Sequence, residues 1–303
     1  MHLGNGIICP VTGLPMLAIA GATAYYAYKK AKTDFTKDKV LPTVAITGLV
    51  FALQMINFAI PATGSSGHIV GGILLAALLG PYAAFLAMCA ILLVQAVFFA
   101  DGGLLALGCN IFNMGFLACF VAYPLLFKPL ADRNKTFLGA VIASIAALQL
   151  GSIAVVIEGA LSGAVASSAV LNFTGLMQAI HFPIGVVEGV VTGIIAALAS
   201  VVDRKKLSYT FAGISVILAG VISQYASQKP DGLEWSLLNI SDSVVMQTQG
   251  VLYNISEVLQ AKMSIFANMP YTSGSLAGLA VVAAIVYLFG LRLSKNLVDE
   301  NAK

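Results

Sequence analysis

The chain has 303 residues, of which 59% are hydrophobic and only 10% are charged, and its formal net charge is +3. A soluble domain carries roughly a quarter charged residues, so this composition excludes an ordinary soluble globule and is typical of a membrane protein with several spans. So small a net charge gives no indication of nucleic-acid binding. The cysteines form no CxxC pair, which predicts neither a disulfide framework nor a thiolate metal site.

Apolar runs follow one another along the whole chain. The third run is short for a full crossing, which needs about 20 residues. Because only helices satisfy every backbone polar group over such lengths, we predict an all-α, polytopic membrane protein with about nine transmembrane helices. The runs lie at 11–28, 43–60, 68–80, 82–100, 104–127, 136–157, 171–200, 208–226 and 273–293.

The N-terminal segment has no positive residue ahead of its apolar run. Lys29, Lys30 and Lys32 follow that run instead, and the positive-inside rule places such lysines in the cytoplasm. A signal peptide would have the opposite order. We therefore expect Met1 to be retained and to lie outside the cell, with the C-terminus cytoplasmic, in the inner or plasma membrane.

The segment 227–271 is polar and contains the single tryptophan of the chain. It predicts an extracellular loop between the last two helices. A basic stretch at 203–206 separates these helices from the preceding ones. We therefore expect a seven-helix module over 1–203 and a two-helix accessory module over 207–303.

Met1 and His2 form an efficient chelator through their connectivity alone. The α-amine and the His2 amide nitrogen close a five-membered ring on a metal ion, and the same amide nitrogen and the imidazole Nδ1 close a six-membered ring. Such a planar set of nitrogens suits Ni(II) and similar ions. His68, at the outer end of the third run, is predicted to supply a fourth nitrogen. Chance alone is the alternative explanation of His2, but two of the three histidines map to the same membrane face.

Five further polar residues are predicted to support this site or to lock helices together. His181 and Glu188 share one face of the seventh helix, where ionisable groups usually have partners. They are interpreted either as a structural His–Glu pair or as outer support for the metal. Gln54 and Asn57 are predicted to form interhelical hydrogen bonds or to orient a ligating imidazole. Ser66 belongs to a Gly-rich turn whose small residues let the backbone pass close to the site.

Short motifs are spread in order over residues 1–200. They comprise Met1-His2 with Gly6, then 54–58, 64–68, 79–81, 99–103, 110–114 and 181–188, followed by Thr192. In these motifs the sequence resembles the substrate-specific component of the energy-coupling-factor cobalt/nickel transporters, the CbiM/NikM family. That family usually begins Met-His-Ile-Pro-Asp-Gly. Here Leu3, Gly4 and Asn5 replace the middle of this start, so the chelating pair is kept and the turn after it differs.

The resemblance implies a metal held by the Met1 amine, the His2 amide and imidazole, and the His68 imidazole. It also implies partners, namely a transmembrane coupling (T) protein and two cytoplasmic ATPases. Residues 208–303 resemble the small accessory subunit of the same systems, whose loop is thought to reach the substrate loop and aid metal loading. The Pro-Asp-Gly-Leu-Glu motif of that subunit is matched by Pro230, Asp231, Gly232, Leu233 and Glu234.

These observations predict a non-catalytic subunit that captures Ni2+ or Co2+ outside the cell for ATP-driven import. The chain has no Gly-x-x-x-x-Gly-Lys-Ser/Thr loop, so it cannot hydrolyse ATP in the P-loop manner. One alternative is an intramembrane serine protease in which His181 activates Ser66, although this leaves the Met1-His2 start unexplained. Another is a passive channel or scaffold. Nickel and cobalt are both candidate substrates, whether or not the cobalt serves cobalamin synthesis.

Overall fold

The computed structural model describes residues 1–246 and 248–300, the stretch 295–300 by its backbone alone. Helices dominate this part of the chain, as predicted, and one short antiparallel hairpin joins β1 Phe58–Ala59 to β2 Ser66–Gly67. The helices are α1 Pro10–Lys32, α2 Val40–Gln54, α3 Gly72–Leu79, α4 Pro81–Phe99, α5 Leu107–Ala131, α6 Thr136–Leu161, α7 Val170–Val201, α8 Arg204–Gly220, α9 Gly232–Leu238, α10 Val251–Met263 and α11 Tyr271–Glu300.

Five helices in the described part of the chain are long and apolar enough to cross a membrane. They are α4, α5, α6, α7 with the turn before it, and α11 as far as Ser294. The other four predicted runs also form helices, α1, α2, α3 and α8, of 23, 15, 8 and 17 residues. The described residues thus include five helices that could cross a membrane, and the count of nine stays a prediction.

The hydrophobic core lies mainly between α2, α3, α4 and α5. Phe51, Leu74 and Phe85 are fully buried there. Met1 belongs to the same core and is only 3% exposed. Helices α8 and α11 pack against α2, so the C-terminal helices join the bundle rather than stand apart from it.

The segment that carries His68 is held between α2 and α3 by the hairpin and by a glycine turn. Gly71, just before α3, has φ +77°, a left-handed conformation that costs other residues free energy. A Cβ at this position would also lie 2.5 Å from Cγ1 of Val50. Glycine therefore lets the extended chain after β2 turn directly into α3.

The segment 227–271, which is predicted to be a loop between two helices, itself contains the helices α9 and α10. Helix α9 starts with a capping box, in which Asp231 accepts the N–H of Glu234 and the Glu234 side chain accepts the N–H of Asp231. Such a box satisfies two otherwise unpaired donors. The polarity that excludes a membrane span does not exclude short helices. Gln247 of this segment and the C-terminal residues 301–303 lie outside the described residues.

Candidate metal centre

The N-terminal segment is threaded into the molecule and held there by Asn110 of α5. The Leu3 N–H donates to Asn110 Oδ1 at 2.8 Å, and Asn110 Nδ2 donates to the Leu3 carbonyl at 3.1 Å. The Gly103 N–H donates to the same carbonyl at 2.8 Å. One side chain thus pairs with both backbone groups of Leu3, much as a neighbouring strand would, and it fixes the chain immediately after His2.

A second anchor follows at Asn5. Its Oδ1 accepts the Leu105 N–H at 2.9 Å, and its Nδ2 donates to Gln260 Oε1 of α10 at 2.8 Å. Gln260 in turn donates to the carbonyls of Ala96 and Gly102, at 2.8 and 2.7 Å. The accessory helix α10 therefore ties the N-terminal segment to the end of α4.

The structure brings His2 and His68 together. Their ring centroids are 5.2 Å apart and the rings are nearly parallel, at 13°. His2 Nδ1 lies 3.2 Å from Asp101 Oδ1, and the His2 side chain is only 6% exposed. Burial, together with the nearby Met1 ammonium group, lowers the pKa of His2 to about 3 and that of His68 to about 4. Both imidazoles are therefore neutral at pH 7, which is the form that binds metal ions.

The Met1 amine lies beside a carboxylate from the accessory part of the chain. Its nitrogen is 3.1 Å from Asp231 Oδ2. Burial alone would raise the pKa of the Asp231 carboxyl, but the Met1 ammonium group, the Glu234 N–H and His68 together lower this pKa below its ordinary value. Asp231 is thus a carboxylate at neutral pH.

Two spaces that share His68 and Asp231 in their walls surround these groups. A cavity of about 280 Å³ has His2, His68, Asp101, Asp231 and Glu234 in its wall. A much smaller space of about 10 Å³ has His68 and Asp231 in its wall together with Met1. The larger cavity is therefore lined by both histidines and by three carboxylates.

No cluster of three or more His, Cys, Asp or Glu side chains suited to a metal ion occurs among the residues that the structure describes. A centre built from side chains alone is therefore not part of this region. The predicted ligand set differs in kind, because two of its nitrogens, the Met1 amine and the His2 amide, belong to the backbone.

Two predicted supporting residues hold the segment that follows His68. Glu188 Oε2 accepts the Val70 N–H at 2.7 Å, and Gln54 Nε2 donates to the Val70 carbonyl at 2.6 Å. Gln95 Nε2 donates to Gln54 Oε1 at 2.8 Å. Gln54 and Glu188 thus fix the backbone two residues beyond the imidazole rather than the imidazole itself.

The predicted His181–Glu188 pair does not form, because each side chain has a backbone partner. His181 Nδ1 is 2.7 Å from the Met177 carbonyl, one turn earlier in α7. The Glu188 carboxylate faces Val70 instead. Two turns of one helix place both residues on the same face but too far along it for their side chains to meet.

Ser66 and Asn57 contact the accessory segment. Ser66 Oγ donates to the Lys229 carbonyl at 2.7 Å, and the Asn57 carbonyl accepts the Ser227 N–H at 2.8 Å. Because the Ser66 hydroxyl and His181 have other partners, the two do not form the hydrogen bond that a serine nucleophile and its base require. The protease alternative has no support from this geometry.

The Pro-Asp-Gly-Leu-Glu segment, 230–234, docks directly on the strand that precedes His68. The Ser66 N–H donates to the Pro230 carbonyl at 2.8 Å, and Ser66 forms a parallel bridge with Asp231. Leu233 is 3% exposed and packs in one hydrophobic cluster with Leu3, which is fully buried. The accessory part of the chain thereby contacts both the N-terminal segment and the His68 strand.

Sequence reasoning missed the roles of Asp101 and Asn110. The sequence around Asp101 indicates only a turn, and Asn110 only a hydrogen bond between helices, yet they contact His2 and Leu3. Both residues lie within the motifs 99–103 and 110–114, which carry the family resemblance. Their position inside these motifs is the sequence feature that could have indicated a functional role. No local pattern indicates their distant partners.

Comparison with known families covers nearly all of the chain. A family model described as CbiM, the cobalt uptake substrate-specific transmembrane region, matches residues 2–205. The chain belongs to the CbiM family. A second model, the PDGLE domain, matches residues 205–295. The CbiM-family chain therefore carries a C-terminal PDGLE domain, and its family is one of metal transport proteins.

Named relatives and a solved structure agree with this assignment. The CbiM-family chain is 33% identical to the putative fused nickel transport protein NikMN of Archaeoglobus fulgidus over 211 residues, 68% of this chain and 69% of that protein. It is 33% identical to a putative metal transport protein of Haloquadratum walsbyi over 195 residues, 63% and 86% of the two chains. A crystal structure described as a transition metal transporter matches 70% of this chain and 98% of its own, with 32% identity and a TM-score of 0.59.

Proposed function

We propose that this chain captures Ni2+ or Co2+ with the Met1 amine, the His2 amide and imidazole, and the imidazole of His68. The proposal is carried by one observation, the meeting of the His2 and His68 rings at 5.2 Å beside a buried Met1. The cobalt-uptake family and the nickel-transport relative support these two ions as substrates.

Each proposed ligand has the chemistry that a borderline metal ion prefers. The set has nitrogen donors throughout, and a planar arrangement of nitrogens favours Ni(II). His2 Nδ1 would exchange its Asp101 contact for the metal ion, and Asp101 would stay close enough to balance the positive charge. The Asn110 and Asn5 anchors hold the chelating segment in one place, which lowers the conformational cost of binding.

The proposal also includes the domains of the chain, its orientation in the membrane and its partners in transport. Residues 1–203 form a seven-helix substrate-binding module and residues 207–303 an accessory domain, with nine spans in the plasma membrane, Met1 outside and the C-terminus in the cytoplasm. The captured ion passes to an energy-coupling-factor transporter, with a transmembrane coupling protein and two cytoplasmic ATPases as partners. This chain supplies binding, and the partners supply ATP hydrolysis.

Competitive metal loading tests the proposal. The chain is purified with a free Met1 amine, incubated with equal amounts of Ni2+ and Co2+ and desalted, and its metal content is measured. We expect one bound ion per chain, of whichever metal is the substrate, which a strong chelator removes. Retention of neither ion would contradict the proposal. A test peptide is added to the same preparation before and after chelation. Cleavage that continues after chelation would favour the protease alternative instead.

A further inference from the structure

The Asp231 carboxylate lies where the accessory domain meets the first residue of the chain. Its Oδ2 is 3.1 Å from the Met1 nitrogen, while its Oδ1 accepts the Glu234 N–H at 2.8 Å. One oxygen thus caps α9 and the other binds the amine. The side chain of Asp231 is 17% exposed and that of Met1 is 2% exposed, so the ion pair forms largely away from water.

Backbone pairing fixes the position of this carboxylate. The Ser66 N–H donates to the Pro230 carbonyl at 2.8 Å, and Ser66 bridges to Asp231 in parallel register. The paired strand then continues to His68. Asp231, His68 and Met1 all line the same space of about 10 Å³. The paired backbone therefore holds both the Asp231 carboxylate and the His68 imidazole against Met1.

The chemistry of a chelating amine explains how the Asp231–Met1 contact assists metal binding. An α-amine rotates freely about its bonds unless it is held, and the five-membered chelate forms in only one of its rotational positions. An amine that has bound a metal ion still has N–H groups, which can donate to the same carboxylate oxygen. A divalent ion held by Met1 and His2 also leaves positive charge, which strengthens a hydrogen bond to a carboxylate.

We propose that Asp231 is a positioning residue of the metal site, which holds the Met1 nitrogen in its chelating position. This inference rests on the proposed metal-capture function and deepens it. The PDGLE domain acts on a ligand nitrogen directly, through one carboxylate, in addition to any effect on the surrounding loops.

The substitution Asp231→Asn isolates this contact. Asparagine is as good an N-cap as aspartate, so α9 keeps its start while the amine loses its charged partner. In the full-length chain with a free Met1, we expect Ni2+ affinity, measured by competition with a chelator, to fall about 10–100-fold, as for other residues that orient a ligand. Asp242→Asn is the matched control, because Asp242 is an exposed aspartate of the same segment, and its affinity should equal that of the parent.

A second measurement separates positioning from mere folding of the segment. The chain is treated with an amine-reactive reagent without added metal, and labelling of the Met1 amine is compared with labelling of the nearby, exposed Lys229 by peptide mass spectrometry. We expect Asp231→Asn to raise the Met1 to Lys229 ratio, because the ion pair shields only the α-amine. Hydrogen exchange over 64–68 is measured in parallel, because the exposed Lys229 reports only on access of the reagent. A purely structural role would raise this exchange together with Met1 labelling, and either that result or an unchanged Met1 to Lys229 ratio would overturn the inference.

The outcomes distinguish this inference from the proposed function. A parent chain that binds neither Ni2+ nor Co2+ would overturn both. A parent that binds Ni2+, with an Asp231→Asn variant that binds it as tightly, would overturn the inference alone and leave the proposed ligands in place.

Discussion

At the scale of single residues, the candidate centre depends on groups from distant parts of the chain. His2 comes from the N-terminal segment, His68 from the extended chain between β2 and α3, and Asp231 from the accessory domain. Each of them is an ordinary side chain in isolation. In the folded chain they lie together, and burial keeps both imidazoles neutral, the form that binds metal ions, beside the Met1 amine and the Asp231 carboxylate.

The substitution His68→Ala tests the imidazole ligand. We expect Ni2+ or Co2+ affinity to fall at least ~10–100-fold, the range found even for residues that only support a ligand. Equilibrium binding to the purified chain measures this. Thermal unfolding without added metal is the control, because it measures separately the cost of removing a buried ring that stacks on His2. Unchanged metal affinity would remove His68 from the ligand set.

The meeting of Met1, His2 and His68 could be predicted because it follows from local connectivity and membrane side. Two adjacent residues form the chelate rings, and the positive-inside rule places His68 on the same face. The contacts of Asp101 and Asn110 could not be predicted in this way. They join residues about a hundred positions apart, and such pairs are set by how the helices pack rather than by any local pattern.

At the scale of elements, Asn110 connects α5 to the N-terminal segment. Asn110→Ala would leave the buried Leu3 N–H without its partner, at a cost of about 1–3 kcal/mol. We expect faster hydrogen exchange over residues 1–8 and a metal affinity lower by about tenfold or more, since each 1.4 kcal/mol corresponds to tenfold.

Asn113→Ala is the matched control for this change. Asn113 lies one turn further along α5 and donates to Glu158 at 2.7 Å instead of to the backbone of the N-terminal segment. Its loss should affect stability and leave hydrogen exchange over residues 1–8 as in the parent. Equal exchange in the two variants would contradict the anchoring role of Asn110.

Gly232 allows α9 to approach α7. A Cβ at this position would lie 2.7 Å from Ile180 Cγ2 and 3.1 Å from His181 Cε1, and such overpacking costs about 1–3 kcal/mol. We expect Gly232→Val to lower the unfolding temperature and to increase proteolysis of the segment 227–271. Gly213→Ala in α8 is the control, because nothing lies within 4 Å of its added Cβ. Equal proteolysis of the two variants would argue against close docking of α9.

The long helices were predictable from hydrophobicity, whereas the short ones were not. The run at 136–157 appears as α6 with nearly the predicted bounds. The run at 43–60 ends as a helix at Gln54, because the chain then leaves the helix to form β1. Helices α9 and α10 have too few apolar residues for a hydropathy argument, and the capping box that starts α9 is seen only in the structure.

At the scale of the whole molecule, the orientation in the membrane is the main prediction still to be measured. In a chain whose native cysteines are replaced by alanine, we expect Ser241→Cys to react with a membrane-impermeant thiol reagent in intact cells. Lys205→Cys should react only after the membrane is opened, because the basic stretch 203–206 is expected in the cytoplasm. The reverse labelling pattern would invert the topology and place Met1 on the wrong side for metal capture.

The two parts of the chain form one structure around the candidate centre. The accessory domain supplies Asp231 to the Met1 amine and Gln260 to Asn5, and α8 and α11 pack against α2. The charge of the stretch 203–206 predicts a domain boundary there. No local pattern predicts the contacts across it, because they join residues far apart in the chain, 230 and 255 positions for the two hydrogen bonds.

The most direct test of this account is the Ni2+ affinity of a chain with one extra residue retained before Met1. The extension moves the α-amine away from the His2 amide and destroys the five-membered chelate ring, while every native side chain is retained in the sequence. Binding is measured against the native chain and against a chain extended after Lys303. We expect the N-terminal extension to weaken Ni2+ and Co2+ binding by at least ~10–100-fold and the C-terminal extension to have no effect. An N-terminally extended chain that binds as tightly as the native one would contradict the proposed centre.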